Sequence, residues 1–107
     1  MIGKTVSGKI DRPLGSVHPR VSSLHYPVNY GYVEGVLGGD GAEQDVYYLG
    51  EDNPVSDFAG KVIAVIHRFN DVEDKWVVAK DGYTFSREEI EQAVDFQEKF
   101  FDNDVIM

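Results

Sequence analysis

The sequence predicts a mainly β domain of the α+β class: a sheet or small barrel with one helix laid on it near the C-terminus. Three observations predict it. Short alternating or apolar runs recur between turn signals from residue 4 to residue 80. One well-capped amphipathic helix follows, beginning at Ser86. Strands and helices do not alternate, which argues against a βαβ arrangement.

The first run, residues 4–10, alternates as a strand. Pro13, Gly15 and Pro19 then break the chain into a loop. Residues 29–37 read as the next strand, with Tyr30, Tyr32 and Glu34 on one face and Gly31, Val33 and Gly35 on the other. Gly38-Gly39-Asp40-Gly41 is a tight turn, and residues 45–49 follow as a strand. After a loop containing Pro54 comes the apolar run Val62-Ile63-Ala64-Val65-Ile66, the pattern of a strand buried on both faces within residues 61–68. Residues 69–71 turn the chain and residues 73–80 return it, so the two strands read as a hairpin. Ser86 and Glu89 form a capping box, with Phe85 and Ile90 placed as a hydrophobic staple. Ile90, Ala93, Val94, Phe100 and Phe101 share the apolar face expected to pack on the sheet, with Phe96 at its edge.

Residues 1–107 are read as one domain, long enough for a single core. The 42% hydrophobic content is ordinary for a globular chain, and no apolar run approaches the ~20 residues of a membrane span. The first residues are polar and alternating, so no signal peptide is expected. With no cysteine, disulfides and thiolate metal sites are excluded, and a cytoplasmic setting is expected. The formal net charge is −9, which repels nucleic acid and anionic lipid. It also repels phosphate-rich ligands unless hard cations stand between carboxylates and phosphates.

Three features carry candidate chemistry. In Asp40-Gly41-Ala42-Glu43-Gln44-Asp45 the acids of a turn run into a strand and present oxygens suited to Mg²⁺; an ordinary solvated turn has the same composition. In the second acidic turn, Asn70-Asp71-Val72-Glu73-Asp74-Lys75, an extended segment puts Asp71, Glu73 and Lys75 on one side. There they suit a metal and a phosphate oxygen, or a plain charged hairpin tip. Tyr26-Pro27-Val28-Asn29-Tyr30-Gly31-Tyr32 concentrates phenols that need partners when buried, or that simply build a barrel wall. His18, His25 and His67 lack metal-ligand spacing.

In chain order these pieces resemble the soluble inorganic pyrophosphatases. Asp11-Arg12-Pro13-Leu14-Gly15-Ser16 is similar to the family's Glu-Ile-Pro-x-Gly-Ser segment. Tyr26 to Tyr32 matches its Tyr-Pro-x-Asn-Tyr-Gly-Tyr segment throughout. Residues 40–46 follow its Asp-Gly-Asp-Pro-x-Asp-Val metal signature, and residues 71–78 its next acidic turn. The likeness spans residues 11–79 and the C-terminal helix. It implies a small OB-like Greek-key β-barrel with flanking helix. It further implies Mg²⁺- or Mn²⁺-dependent hydrolysis of pyrophosphate, or of another small phosphoanhydride, and a homo-oligomer. By the same resemblance Asp40, Asp45, Asp71, Asp11 and Glu73 are metal-ligand candidates, with Glu73 and Asp74 alternatives to Asp71. Asp45 lies near the nucleophile, Tyr30 is an active-site phenol, and Arg20 and Lys75 are phosphate contacts.

The sequence also departs from the family pattern. Ala42 replaces the middle aspartate of the metal signature. The basic hairpin after Ser16 is reduced to residues 17–25, where Arg20 is the sole cation, and the helix's Tyr-Lys pair falls at Phe100-Phe101. A second reading is therefore an altered relative that binds phosphate or metal, or serves in protein interaction, without turnover. A nucleic-acid-binding OB module is disfavoured by the acidic charge.

Overall fold

The computed structural model describes residues 2–39, 41–69, 71 and 73–107. In chain order the elements are β1 (Thr5–Arg12), β2 (Asn29–Leu37), β3 (Glu43–Leu49), β4 (Asp57–Arg68), β5 (Asp74–Lys80), α1 (Arg87–Glu98) and β6 (Asn103–Ile106). The sheet runs β1-β2-β3-β5-β4, and β4 pairs back onto β1, closing a five-stranded barrel with one helix. All pairings are antiparallel except β3 with β5. Strand β4 is long because, besides pairing with β5, it serves two further partners in succession. Its first half, Asp57 to Lys61, pairs with β1, and its last residues, Val65 to Arg68, pair with β6.

Side-chain alternation divides the core in two. Ile10, Val33, Val46, Tyr48, Phe58, Val62, Trp76 and Val78 come from all five barrel strands and form one cluster. The opposite faces send Tyr30, Tyr47, Leu49, Ala64, Ile66 and Val77 into a second cluster, which Ile90 and Val94 of α1 and Val105 of β6 cover. β3 is therefore buried on both faces from Val46 to Leu49. In β4 a register shift between Val62 and Ala64 interrupts simple alternation. Among the described residues no helix is long and apolar enough to cross a membrane.

Helix α1 starts as its sequence dictates. Ser86 Oγ accepts from the Glu89 N–H at 3.2 Å, and Glu89 Oε1 accepts from the Ser86 N–H at 2.9 Å. Phe85 packs on the same cluster as Ile90. The expected apolar face needs correction at its end. The helix stops at Glu98, and its buried line is Ile90, Val94 and Glu98, four residues apart. Phe100, beyond the cap, is 66% exposed.

Asn29 of the tyrosine segment is wholly buried. Its Oδ1 accepts from the backbone N–H of Leu14 (3.0 Å) and of Val55 (3.2 Å), while its Nδ2 donates to the Asn53 carbonyl (3.0 Å). One amide thus ties the β1–β2 loop to the β3–β4 loop. It satisfies backbone groups that burial would otherwise leave orphaned.

Candidate functional site

An open cleft of about 620 Å³ lies where β1, β2, β3, β4 and β5 present side chains toward the end of α1. Asp11, Arg12, Tyr30, Asp45, Arg68 and Lys75 line it from the strands. His18, Val21, Leu24 and Tyr26 line it from the β1–β2 loop, and Gln97, Phe100 and Phe101 from the helix end. Asp45 pairs with Tyr32 across β2–β3, while Lys75 sits one residue into β5 beside the other edge of β3.

Lys75 is the hub of the acidic half. Its side chain is 4% exposed, its Nζ donates to Asp45 Oδ2 at 2.6 Å, and it also donates to the Glu73 carboxylate. It lies 5.8 Å from the Tyr30 ring centroid. Burial pulls the ammonium's pKa down, but Tyr30, Asp45 and Glu73 outweigh burial and hold it above the ordinary lysine value. Tyr30 is buried, which pushes its phenol well up despite the opposing Lys75. At neutral pH Tyr30 is therefore a hydrogen-bond donor and not a base. Asp11 is half-exposed; burial raises its pKa, Arg12 opposes, and the charge of Asp45 adds to the rise.

A register shift between Ile10 and Arg12 places Asp11 at a bulge in β1. Strict alternation would put neighbours on opposite faces; the bulge lets Asp11 and Arg12 both reach the cleft. Arg12 makes a 3.8 Å pair with the Asp11 carboxylate and a 3.4 Å bond to the Asp11 carbonyl. It lies near enough to the Tyr26 phenol to oppose the upward push that burial gives it.

The floor is a continuous chain of hydrogen-bonded polar groups. Tyr26 donates to Gln97 Oε1 (3.2 Å), Gln97 Nε2 to the Tyr47 oxygen (2.8 Å), and Tyr47 to Glu98 Oε2 (2.6 Å). Arg68 grips Glu98 with two bonds, Nε to Oε1 at 2.9 Å and Nη2 to Oε2 at 2.5 Å, and reaches Asp71 at 3.3 Å. The Phe101 ring lies 3.8 Å from the Arg68 guanidinium. Arg68 and Glu98 are both buried, so their charges are tolerable only because each is paired and hydrogen-bonded.

Of the residues that the sequence marks, Asp11, Tyr30, Asp45 and Lys75 come together at the cleft. Glu73 is tied to Lys75 behind it, and Asp71 to Arg68. Arg20 is exposed in the β1–β2 loop, its backbone N–H bonded to His18 Nδ1, and does not line the cleft. Asp40, and Asn70 and Val72 of the second acidic turn, lie outside the described residues. Among the described residues no group of three or more carboxylates and imidazoles is gathered closely enough to hold a metal ion. The helix positions that send polar groups into the site are Gln97 and Glu98, not Phe100-Phe101. Glu98 had a legible signal, a charge on the helix's apolar stripe; Arg12 had none, since a bulge is not written in local sequence.

No family model matches the chain, and no curated protein matches it. Solved structures do. Inorganic pyrophosphatase from Ehrlichia chaffeensis superposes with a TM-score of 0.75 at 18% identity, covering 97% of this chain and 85% of that one. The enzyme from Helicobacter pylori gives 0.64 at 19%, covering 92% and 75%. The enzyme from Neisseria gonorrhoeae gives 0.63 at 21%, covering 84% and 69%. At these identities the likeness is one of fold, and the fold is the OB-like barrel of the inorganic pyrophosphatases.

Proposed function

We propose that the cleft is the site of a divalent-cation-dependent phosphoanhydride hydrolase, with pyrophosphate as the reference substrate. The observation that carries the reading is the convergence, within a pyrophosphatase-like barrel, of two carboxylates (Asp11, Asp45), a neutral phenol (Tyr30) and the Lys75 ammonium on one cleft. The Lys75 ammonium, held by Asp45 and Glu73 and hydrogen-bonded to the Tyr30 phenol, supplies the positive charge that a phosphate group would meet at this wall. Tyr30 donates a hydrogen bond to a phosphate oxygen. Asp45 accepts the proton of the attacking water. The water's oxygen bonds to one phosphorus, the bridging P–O bond breaks, and the bridging oxygen leaves on the other phosphate. Asp45 and Asp11, with Asp40, Asp71 and Glu73 the further candidates, would hold a Mg²⁺ or Mn²⁺ ion, which would supply charge neutralisation and a more acidic water. Two protein carboxylates suit Mg²⁺, which keeps several waters. A cytoplasmic setting and self-association belong to the same reading.

The second reading, binding without turnover, is favoured by one observation. The Arg68 guanidinium is already gripped by Glu98 and Asp71, so it is not available to stabilise a transition state. Phosphate release from pyrophosphate at saturating Mg²⁺ separates the two. The hydrolase reading expects release that Asp45→Asn lowers by about 100-fold or more, the scale of a lost proton acceptor. Tight pyrophosphate binding with no release supports the second reading instead, and neither binding nor release sinks both.

A further inference from the structure

The phosphate chemistry accounts for only part of the cleft wall. Val21 and Leu24 from the β1–β2 loop and Phe100 beyond α1 also line it. Val21 is 46% and Phe100 66% exposed, so large apolar side chains stand in water at the cleft margin. A bare pyrophosphate has no apolar surface to lay against them. The cleft volume of about 620 Å³ falls in the range that takes an organic ligand.

The cations point the same way. Lys75 and Arg68 are each held by two carboxylates. Arg12, by contrast, has a single long contact of 3.8 Å with the Asp11 carboxylate, and its side chain is 34% exposed. A guanidinium both forks onto phosphate oxygens and stacks on flat rings. We infer that the cleft's ligand is a phosphoanhydride that carries an aromatic organic group, a nucleoside di- or triphosphate. Its phosphates meet Arg12, Lys75 and Tyr30, and its base lies against Phe100 and the Val21–Leu24 loop. The inference rests on the phosphoanhydride reading above. Hydrolysis balances as before: water's oxygen bonds to the terminal phosphorus, the bridging oxygen stays on the shortened nucleotide, and the water's proton is released.

Calorimetry on the full chain with Mg²⁺ tests it with two uncleavable probes, imidodiphosphate and a methylene-bridged adenosine diphosphate. The nucleotide analogue should bind at least tenfold tighter, about 1.4 kcal/mol. Phe100→Ser should collapse that ratio, and Arg12→Met should weaken both ligands. Equal affinities in the parent, with the ratio unmoved by Phe100→Ser, overturn the inference and leave the phosphate site standing. Failure of both probes to bind removes the phosphate reading itself. A dimer seen by sedimentation that forms only with Phe100 intact, with no nucleotide preference, assigns the apolar margin to a second copy and also overturns the inference.

Discussion

Lys75 shows how one side chain joins stability to chemistry. It is buried between Asp45 and Glu73, whose own side chains are 29% and 13% exposed. Removing the ammonium strands two carboxylates together. A fully buried pair loses 3–5 kcal/mol when broken, but Asp45 keeps some water, so Lys75→Met should cost about 2 kcal/mol by denaturant titration. An unchanged midpoint would mean that the pair contributes nothing. The same residue sets a pH limit. Its folded pKa lies above its unfolded value, as do those of the buried phenols Tyr30 and Tyr47, which burial pushes up. For each, the unfolded chain gives up its proton first. Their stabilisation is therefore complete below about pH 10 and is lost as pH rises beyond it. The midpoint should hold steady up to about pH 10 and then fall, less steeply in Lys75→Met.

At the scale of elements, β1 is seated on β2 by the absence of side chains. A Cβ on Gly31 would stand 1.9 Å from the Lys9 carbonyl oxygen, and one on Gly8 would stand 1.9 Å from that of Tyr32. Gly31→Ala must push β1 outward just before the bulge that turns Asp11 and Arg12 into the cleft. Overpacking of this kind costs about 1–3 kcal/mol, and ligand affinity should fall with it. A variant that melts and binds like the parent would show that β1 is not fixed there. Strands with strong local patterns were legible: β2 occupies the expected residues 29–37, and α1 begins where its capping box requires. What was illegible depends on distant partners. β4 starts at Asp57, not at residue 61, because Asp57 to Gly60 pair with β1. β6 is a strand only because the end of β4 offers it an edge. In the site, Asp45, Tyr30 and Lys75 carry their own chemical signal in sequence. Arg12 enters only through a bulge, and Arg68 through the buried Glu98 that meets it across the fold.

At the scale of the whole molecule, the net charge of −9 would make the proposed metal and phosphate binding interdependent. The chain repels itself and any free anion, and added cations relieve both effects, by screening everywhere or by occupying one site. These two actions separate in thermal melts. Site binding stabilises the folded chain by RT ln(1 + [L]/Kd), about 2.7 kcal/mol at a concentration 100-fold above Kd. For a chain of this size each kcal/mol shifts Tm by about 4–8 °C. Saturating Mg²⁺ should therefore raise Tm by roughly 10 °C or more beyond NaCl matched for ionic strength. Asp45→Asn should lose most of that excess while keeping the NaCl response, because screening does not depend on one carboxylate. If Mg²⁺ and NaCl act alike on the parent, the acidic residues are a solvated surface and the cleft holds no divalent ion.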